Sequence, residues 1–375
     1  MIKVGIFTLP LHVNYGGILQ AYALQAYLKK IGYDAWLIHH KKEHSNFLLP
    51  FLDIKRIIQK KVLGQNTEPF MEKKRKVMDK YIHNFMDKYI YPKTQNLEKK
   101  GFHNINEYKF DALIVGSDQV WRYTYIEDSV SRFYLDFAPY NTKKISYAAS
   151  FGVSNWEYSS AETQKIQSEI KSFSAISVRE DSALSLCRDF LNMEAVHVID
   201  PTLLLTTKDY NYLIENCEYK QSSFDGNIFT YILDSDLEKK KVISKIEKVL
   251  GLKSFSVYNP NYKDVESPVL ERIMPPIEDW LNGIRTAEYI ITDSFHGCVF
   301  SILYNKPFIV YGNVERGLAR FSSLLKMFNL EDRIVFSSDE LSEEKIKTNI
   351  DWDNVNECLT NQRLIAKNFL ESALK

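Results

Sequence analysis

Short β-branched apolar runs alternate along this chain with segments whose apolar residues recur every three or four positions. The first cycle reads IKVGIFTL, a polar turn at NYGG, ILQAYALQAYLKKIG with helical spacing, and then YDAWLI. Gly32 falls where a helix commonly ends on a left-handed residue. Further strands are predicted at 111–116, 144–150, 174–179 and 195–200, with helices near 157–172 and 180–190. After Asp200-Pro201 the alternation resumes, with strands at 227–234, 253–258, 288–294 and KPFIVYG. Helices are predicted up to about 250, from Pro276 and over HGCVFSILYN. Strands alternating with helices predict an α/β fold of parallel sheets covered by helices on both faces.

The length of 375 residues exceeds one ordinary core and predicts two such domains facing a cleft. The expected division is an N-terminal domain, 1–210, a C-terminal domain, 211–351, and a final helix, 352–375, returning to the first domain. Its boundary is placed at about 205–222, in the polar stretch TTKDYNYLIENCEYKQSSFDG, read as turn-rich.

Residues 41–100 break the pattern, holding 15 Lys/Arg against 7 Asp/Glu around the block MEKKRKVMDKYIHNFM. They are predicted as one or two amphipathic helices inserted in the first domain. The whole chain has 48 bases and 48 acids, so its zero net charge averages a basic segment with an acidic remainder. The segment reads either as a solvated insertion or as a surface for anionic lipid head groups or an acidic glycan. Nucleic acid is not expected, because no aromatic residues interleave the bases in a binding motif.

An apolar content of 45% with 13% aromatics excludes a disordered chain. Cys187, Cys217, Cys298 and Cys358 are widely separated and read as reduced cytoplasmic thiols. The opening MIKVGIFTLP reads as a buried strand rather than a signal peptide. No window approaches the roughly 18–20 apolar residues of a spanning helix. The expected location is cytoplasmic, with peripheral contact at the inner membrane surface through 41–100. His12, His39, His40 and His44 lack a matching carboxylate or thiol pattern, so no metal is expected.

Ligands of open α/β sheets bind beyond the carboxyl ends of strands, and five such places hold candidate chemistry. In His12-Val13-Asn14-Tyr15-Gly16-Gly17, the glycines and the helix amides suit an anion, although a plain tight turn is an equal reading. In Gly116-Ser117-Asp118-Gln119-Val120-Trp121, Asp118 is a candidate base and Trp121 a sugar-stacking ring; capping of a following turn by Ser117 or Asp118 is the alternative. Arg179 ends a strand and can grip a carboxylate or phosphate, or pair with a neighbouring acid. Ile199-Asp200-Pro201-Thr202 is read as a structural turn fixed by proline. Thr292-Asp293-Ser294-Phe295-His296-Gly297 is the most specific: a strand enters a helix at a histidine, with free amides for a phosphate and Asp293 or Ser294 as cap.

The strings NYGGILQAYALQ, DALIVGSDQVW, KISYAASFG, ISVREDSA, VIDPTLLL and ITDSFHGCVFSILYNKPFIVYG, in this order, resemble the polysaccharide pyruvyl transferase family over nearly the whole chain. The resemblance implies two Rossmann-like domains of glycosyltransferase B type around a cleft. It also implies transfer of pyruvate from phosphoenolpyruvate, as co-substrate and without another cofactor, to a sugar of a surface polysaccharide or lipid-linked oligosaccharide. His296 would then be the acid on the donor phosphate, with Arg179, Ser294 and Gly297 binding the donor and Asp118 as base for the sugar. Asn14, Tyr15, Gly16, Gly17, Ser117, Gln119 and Trp121 would line the cleft or meet the acceptor. The family often shows Arg-Leu-His-Gly at this helix start, where the present chain has Ser294-Phe295-His296-Gly297, so Arg320 or Arg316 is expected to supply the missing charge. The competing readings are a sugar-nucleotide-dependent glycosyltransferase of the same architecture and a non-catalytic glycan-binding protein.

Overall fold

The computed structural model describes residues 1–40, 53–57, 59, 68–219, 222–312 and 317–375. Arg316 and the parts of the basic segment at 41–52 and 60–67 lie outside the described residues. Strands β1 (Lys3–Phe7), β2 (Asp34–Leu37), β3 (Ala112–Val115), β4 (Lys143–Ala149), β5 (Phe173–Val178) and β6 (Val196–His197) form one parallel sheet, ordered β2-β1-β3-β4-β5-β6. Strands β7 (Ile228–Tyr231), β8 (Ser254–Phe255), β9 (Tyr289–Thr292), β10 (Phe308–Tyr311) and β11 (Ile334–Val335) form a second, ordered β11-β10-β9-β7-β8. Every residue of β3, β7 and β9 is buried, so both faces of each sheet are covered by the flanking helices. The doubly wound α/β fold predicted from the alternation is therefore present.

Both sheets share one topological feature. The first strand of each pairs with its second on one side and its third on the other, β1 with β2 and β3, β7 with β8 and β9. Where strand order reverses in this way, the flanking connections leave in opposite directions and open a crevice at the carboxyl ends. The loops after β1, β3, β7 and β9 thus border one cleft from two sides.

The two halves are joined by a continuous apolar core. The helix Tyr15–Lys30, which is buried along most of its length, packs together with Tyr231, Trp280, Phe300 and Tyr210. Tyr15 lies 6.4 Å from the Tyr231 ring and donates its hydroxyl to Pro275 O at 2.7 Å. The long helix Trp352–Leu374 follows the second sheet in sequence but packs on β4 of the first. Its Arg363 donates to the carbonyls of Leu203 and Leu205 at 2.7 and 2.6 Å.

One local prediction needs correction. The stretch read as turn-rich holds a helix, Thr207–Glu215, opened by a reciprocal cap between Thr206 and Asp209. Its polar residues concealed a buried face of Tyr210, Leu213 and Ile214. In the basic segment the described helices are Met71–Met78 and Lys80–Tyr89, together with the short Leu97–Lys100.

Glu278 opens the helix Ile277–Thr286 and is buried in this interface, where desolvation pushes its carboxyl up to about 7. The folded chain holds that proton up to about pH 7, whereas an unfolded glutamate releases it near pH 4.3. Folding takes up a proton in this window, so stability falls as pH rises through it. Glu278→Gln is expected to stabilise the chain, with an advantage that grows by about 2 kcal/mol between pH 5 and pH 8 in urea unfolding. A constant or shrinking advantage would remove Glu278 as the source.

Candidate active site

The cleft has a volume of about 640 Å³ and is lined from both halves by His12, Asn14, Gly17, Asp118, Gln119, Leu233, Asp293, Ser294, Phe295, His296 and Arg320, among others. These residues come from the connections after β1, β3, β7 and β9, together with the helix Leu318–Met327. Its outer wall is more apolar, with Phe7, Leu9, Leu11, Ile126 and Phe133, and carries a Glu98–Arg132 ion pair at 2.6 Å.

The chemistry is organised from below by Asp200, which is fully enclosed in the first half. Its Oδ1 accepts the Thr202 amide at 3.0 Å and the Thr202 hydroxyl at 2.7 Å. Its Oδ2 lies 2.7 Å from Arg179 Nη1, 3.3 Å from Ser117 Oγ and 3.6 Å from His296 Nε2, the last contributed by the second half. Burial alone would raise the Asp200 carboxyl. The neighbouring His296 and Arg179 and the Thr202 amide outweigh it and hold the carboxyl well below the usual range. Asp200 is therefore ionised; the proline turn read at Ile199-Asp200-Pro201-Thr202 is present, with Asp200 as its cap, and the same carboxylate also pairs with Arg179.

His296 occupies the first turn of the helix Phe295–Leu303, capped by Ser294, whose Oγ accepts the Gly297 amide at 3.4 Å. His296 borders the cleft, while its Nε2 is buried and makes no hydrogen bond, since 3.6 Å to Asp200 is an ion-pair rather than a hydrogen-bond distance. Asp293 does not cap this helix. Its carboxylate instead accepts the Leu233 amide at 2.7 Å and pairs with Lys239 at 2.8 Å, tying the loop after β7 to the site.

Arg179 corrects its prediction as a donor clamp. It lies under the cleft wall, paired with Asp200 and 3.5 Å from Asp118 Oδ1, and it does not line the cleft. Burial weakens its charge, but Asp200, Asp118 and Glu180 more than compensate and raise it. Arg320 does line the cleft. Burial, and after it the charge of Arg179, pulls its guanidinium down to about 10, still cationic at neutral pH. The Phe295 ring lies near both cations, 4.4 Å from Arg179 and 5.4 Å from Arg320. Gly317, at φ +91°, touches Gly152 of the other half so closely that a Cβ would lie 2.2 Å from Gly152 O, which seats the helix bearing Arg320.

The remaining candidates separate into cleft and support. Asn14, Gly17, Asp118, Gln119 and Ser294 face the cleft. Asp118 sits at φ +69°, a strained conformation for a residue with a side chain, with its carbonyl accepting the amides of Val120 and Ser150. Ser117 is wholly buried and donates its hydroxyl to Ala148 O at 2.9 Å, so it supports the floor. Tyr15 is the strut to Pro275 rather than an acceptor contact. Trp121 is 0% exposed, stacked on Tyr134 and bonded to Phe133 O at 3.0 Å, so no sugar reaches it. Gly297 packs against Thr292, whose Oγ1 would lie 2.3 Å from a Cβ there. Among the described residues, no three His, Cys, Asp or Glu side chains gather as a metal site.

Gly16 is the closest approach of the first helix to the histidine: a Cβ there would lie 2.1 Å from His296 Nδ1 and 2.3 Å from Cγ. In an unobstructed helix Gly→Ala stabilises by about 1 kcal/mol. Gly16→Ala is instead expected to cost about 1–3 kcal/mol in urea unfolding, and less in the His296→Ala background, where two of the three clashing atoms are gone. Equal costs in both backgrounds would show that the ring is not what the glycine accommodates.

Comparison with known proteins closes the reading. No curated protein matches the chain in sequence. Among solved structures, the chain is similar to MurG of Acinetobacter baumannii, with 9% identity, TM-score 0.42, and coverage of 99% of this chain and 100% of that one. It is similar to a glycosyltransferase from Rickettsia africae, with 11% identity, TM-score 0.47, and coverage of 100% and 96%. It is also similar to the UDP-GlcNAc 2-epimerase of Neisseria meningitidis, with 9% identity, TM-score 0.45, and coverage of 100% and 94%. Such remote likenesses carry no argument about activity. The family model for polysaccharide pyruvyl transferase, by contrast, matches residues 14–315 and so takes in the ends of β3, β7 and β9 that border the cleft, while the end of β1 with Leu9 to His12 and Arg320 lie outside the match. On that match the chain belongs to the polysaccharide pyruvyl transferase family.

Proposed function

We propose that the chain transfers the pyruvyl group of phosphoenolpyruvate to two hydroxyls of a sugar in a surface polysaccharide or its lipid-linked precursor, forming a cyclic ketal. The observation that carries this reading is the convergence, in one cleft, of a cationic guanidinium from Arg320, a buried imidazole nitrogen from His296 and the carboxylate of Asp118. The donor brings a phosphate and a carboxylate, which need cationic and amide donors. Arg320 meets that need in place of the arginine that Ser294 replaces. Asn14 and Ser294, the caps of the two helices, border the same space.

The steps follow from these positions. His296 gives a proton to the enol methylene, which becomes the methyl group, and positive charge develops at C2. A sugar hydroxyl attacks C2 and passes its proton to Asp118. The C2–O bond to phosphate breaks, and the second hydroxyl closes the ketal, its proton leaving with the phosphate. Proton return from Asp118 to His296 through solvent resets the site, and no cofactor is consumed. Asp200 and Arg179 act as positioning residues: one is the fixed anion beside His296, the other holds Asp118 and Asp200 in register.

Purified protein mixed with phosphoenolpyruvate and a panel of glycans is expected to release inorganic phosphate only with a competent acceptor. His296→Ala should lower kcat by about 10²–10⁴, the usual contribution of general acid catalysis. Arg320→Ala should raise the donor KM by about 10–100-fold, as loss of a charged hydrogen bond implies, with a smaller effect on kcat. Full turnover in the His296 variant would remove it from the chemistry, and an unchanged KM would remove Arg320 from donor binding. Thermal stabilisation by a uridine or guanosine diphosphate sugar and none by phosphoenolpyruvate would replace this reading with sugar-nucleotide transfer.

A further inference from the structure

The described part of the basic segment presents a surface whose composition is unusual for exposed protein. Helix Met71–Met78 is clasped by the turn Val269–Arg272 from the second half. Met274 donates its amide to Met78 O at 2.8 Å, and the Tyr262 hydroxyl donates to Asp79 Oδ1 at 3.0 Å. Asp53, Glu68, Glu72 and Asp79 are each engaged by a partner. Glu68 is buried between Lys74 and Arg272, each at 2.7 Å, Asp53 accepts the Phe70 amide at 2.7 Å, and Glu72 pairs with Arg56 at 3.0 Å.

What is exposed on the helix and on the segments packed against it is mostly basic and apolar, with Glu271 as an exposed acid beside Leu270. Lys55, Lys73, Arg75, Lys76 and Lys80 are exposed. Between them lie Ile54, Phe70, Val77 and Leu270, which are 55%, 45%, 37% and 74% exposed. Phe70, Lys73 and Val77 recur at helical spacing on one face, and Lys73 Nζ lies 5.9 Å from the Phe70 ring. Single exposed apolar residues are ordinary. Four of them around one cationic helix, drawn from three separate chain segments, form a mixed face that water solvates poorly at its apolar points.

We propose that this face docks on an anionic lipid bilayer, with Phe70, Val77, Leu270 and Ile54 entering the head-group region while the lysines and Arg75 meet lipid phosphates. The pairing of anchor side chains with cations is the physical signature of interfacial binding, since each alone gives only marginal attachment. Among the described residues no helix is long and apolar enough to cross a membrane, which leaves surface docking as the mode. The face is also mechanically close to the cleft. Met274, bonded under the helix, is followed by Pro275, whose carbonyl accepts the Tyr15 hydroxyl at the start of the cleft helix. The proposal does not rest on pyruvyl transfer, and its test contains neither donor nor acceptor.

The experiment is sedimentation of the full chain with phosphatidylcholine vesicles that contain or lack about 30 mol% phosphatidylglycerol, at about 0.05 M and about 0.5 M salt. Retention is expected on anionic vesicles only, weakening with salt. Lys73→Glu with Lys76→Glu should reduce the partition coefficient at least about tenfold. Phe70→Ser with Leu270→Ser should also reduce it about tenfold, with unfolding midpoints confirming intact chains. Equal retention on neutral vesicles would overturn the proposal. So would unchanged retention in either double variant, or dextran sulfate displacing the protein completely while the Phe70/Leu270 variant still binds normally. The last result would mark a general polyanion surface.

Discussion

The contact on which the rest of the site depends is the one between the buried carboxylate of Asp200 and two cations or potential cations, Arg179 from its own half and His296 from the other. Enclosing a carboxylate costs several kcal/mol unless its oxygens are satisfied. Here Thr202 satisfies one oxygen and Arg179 the other, leaving a fixed negative charge 3.6 Å from His296 Nε2. The same arrangement positions Asp118, because Arg179 reaches it with its second nitrogen at 3.5 Å. One hidden acid thus orients groups on both sides of the cleft.

Topology explains why these groups meet. Each sheet reverses direction beside its first strand, and the two reversals face one another, so four strand ends converge. The halves do not hinge freely about this point. A shared aromatic core, the Tyr15–Pro275 hydrogen bond, and the glycine contacts of Gly16 with His296 and Gly317 with Gly152 fix their separation at backbone distance. The cleft is a cavity shared by the two halves.

Much of this was legible in the sequence, and the misses have physical causes. The strand-then-helix alternation is a local signal, so the strands bordering the cleft and the position of His296 at a helix start followed from it. The same signal is silent on which way a side chain points. Asp118 and Arg179 follow β3 and β5, two strands of one sheet separated by β4, yet the arginine turns under the wall and the aspartate into the cleft, because Asp200 draws the guanidinium inward. Asp200 itself was hidden by its proline, which satisfied a turn reading without further need. Trp121 looked like a sugar platform because it follows polar residues, but Tyr134, thirteen positions on, encloses it. Net charge is equally uninformative: it averages a basic segment, in which Asp53, Glu68 and Asp79 are buried, with an acidic remainder.

The central claim is that the cleft between the two strand-order reversals binds an anionic donor through Arg320 and His296, with Asp200 and Arg179 held as an internal pair. A crystal structure with phosphoenolpyruvate bound tests it most directly. The account predicts phosphate or carboxylate oxygens within about 3 Å of the Arg320 guanidinium and of His296 Nε2, with the Asp200–Arg179 contact unbroken. Phosphoenolpyruvate seated outside this cleft, or Arg179 released from Asp200 to grip the ligand while Arg320 stays away from it, would contradict the account.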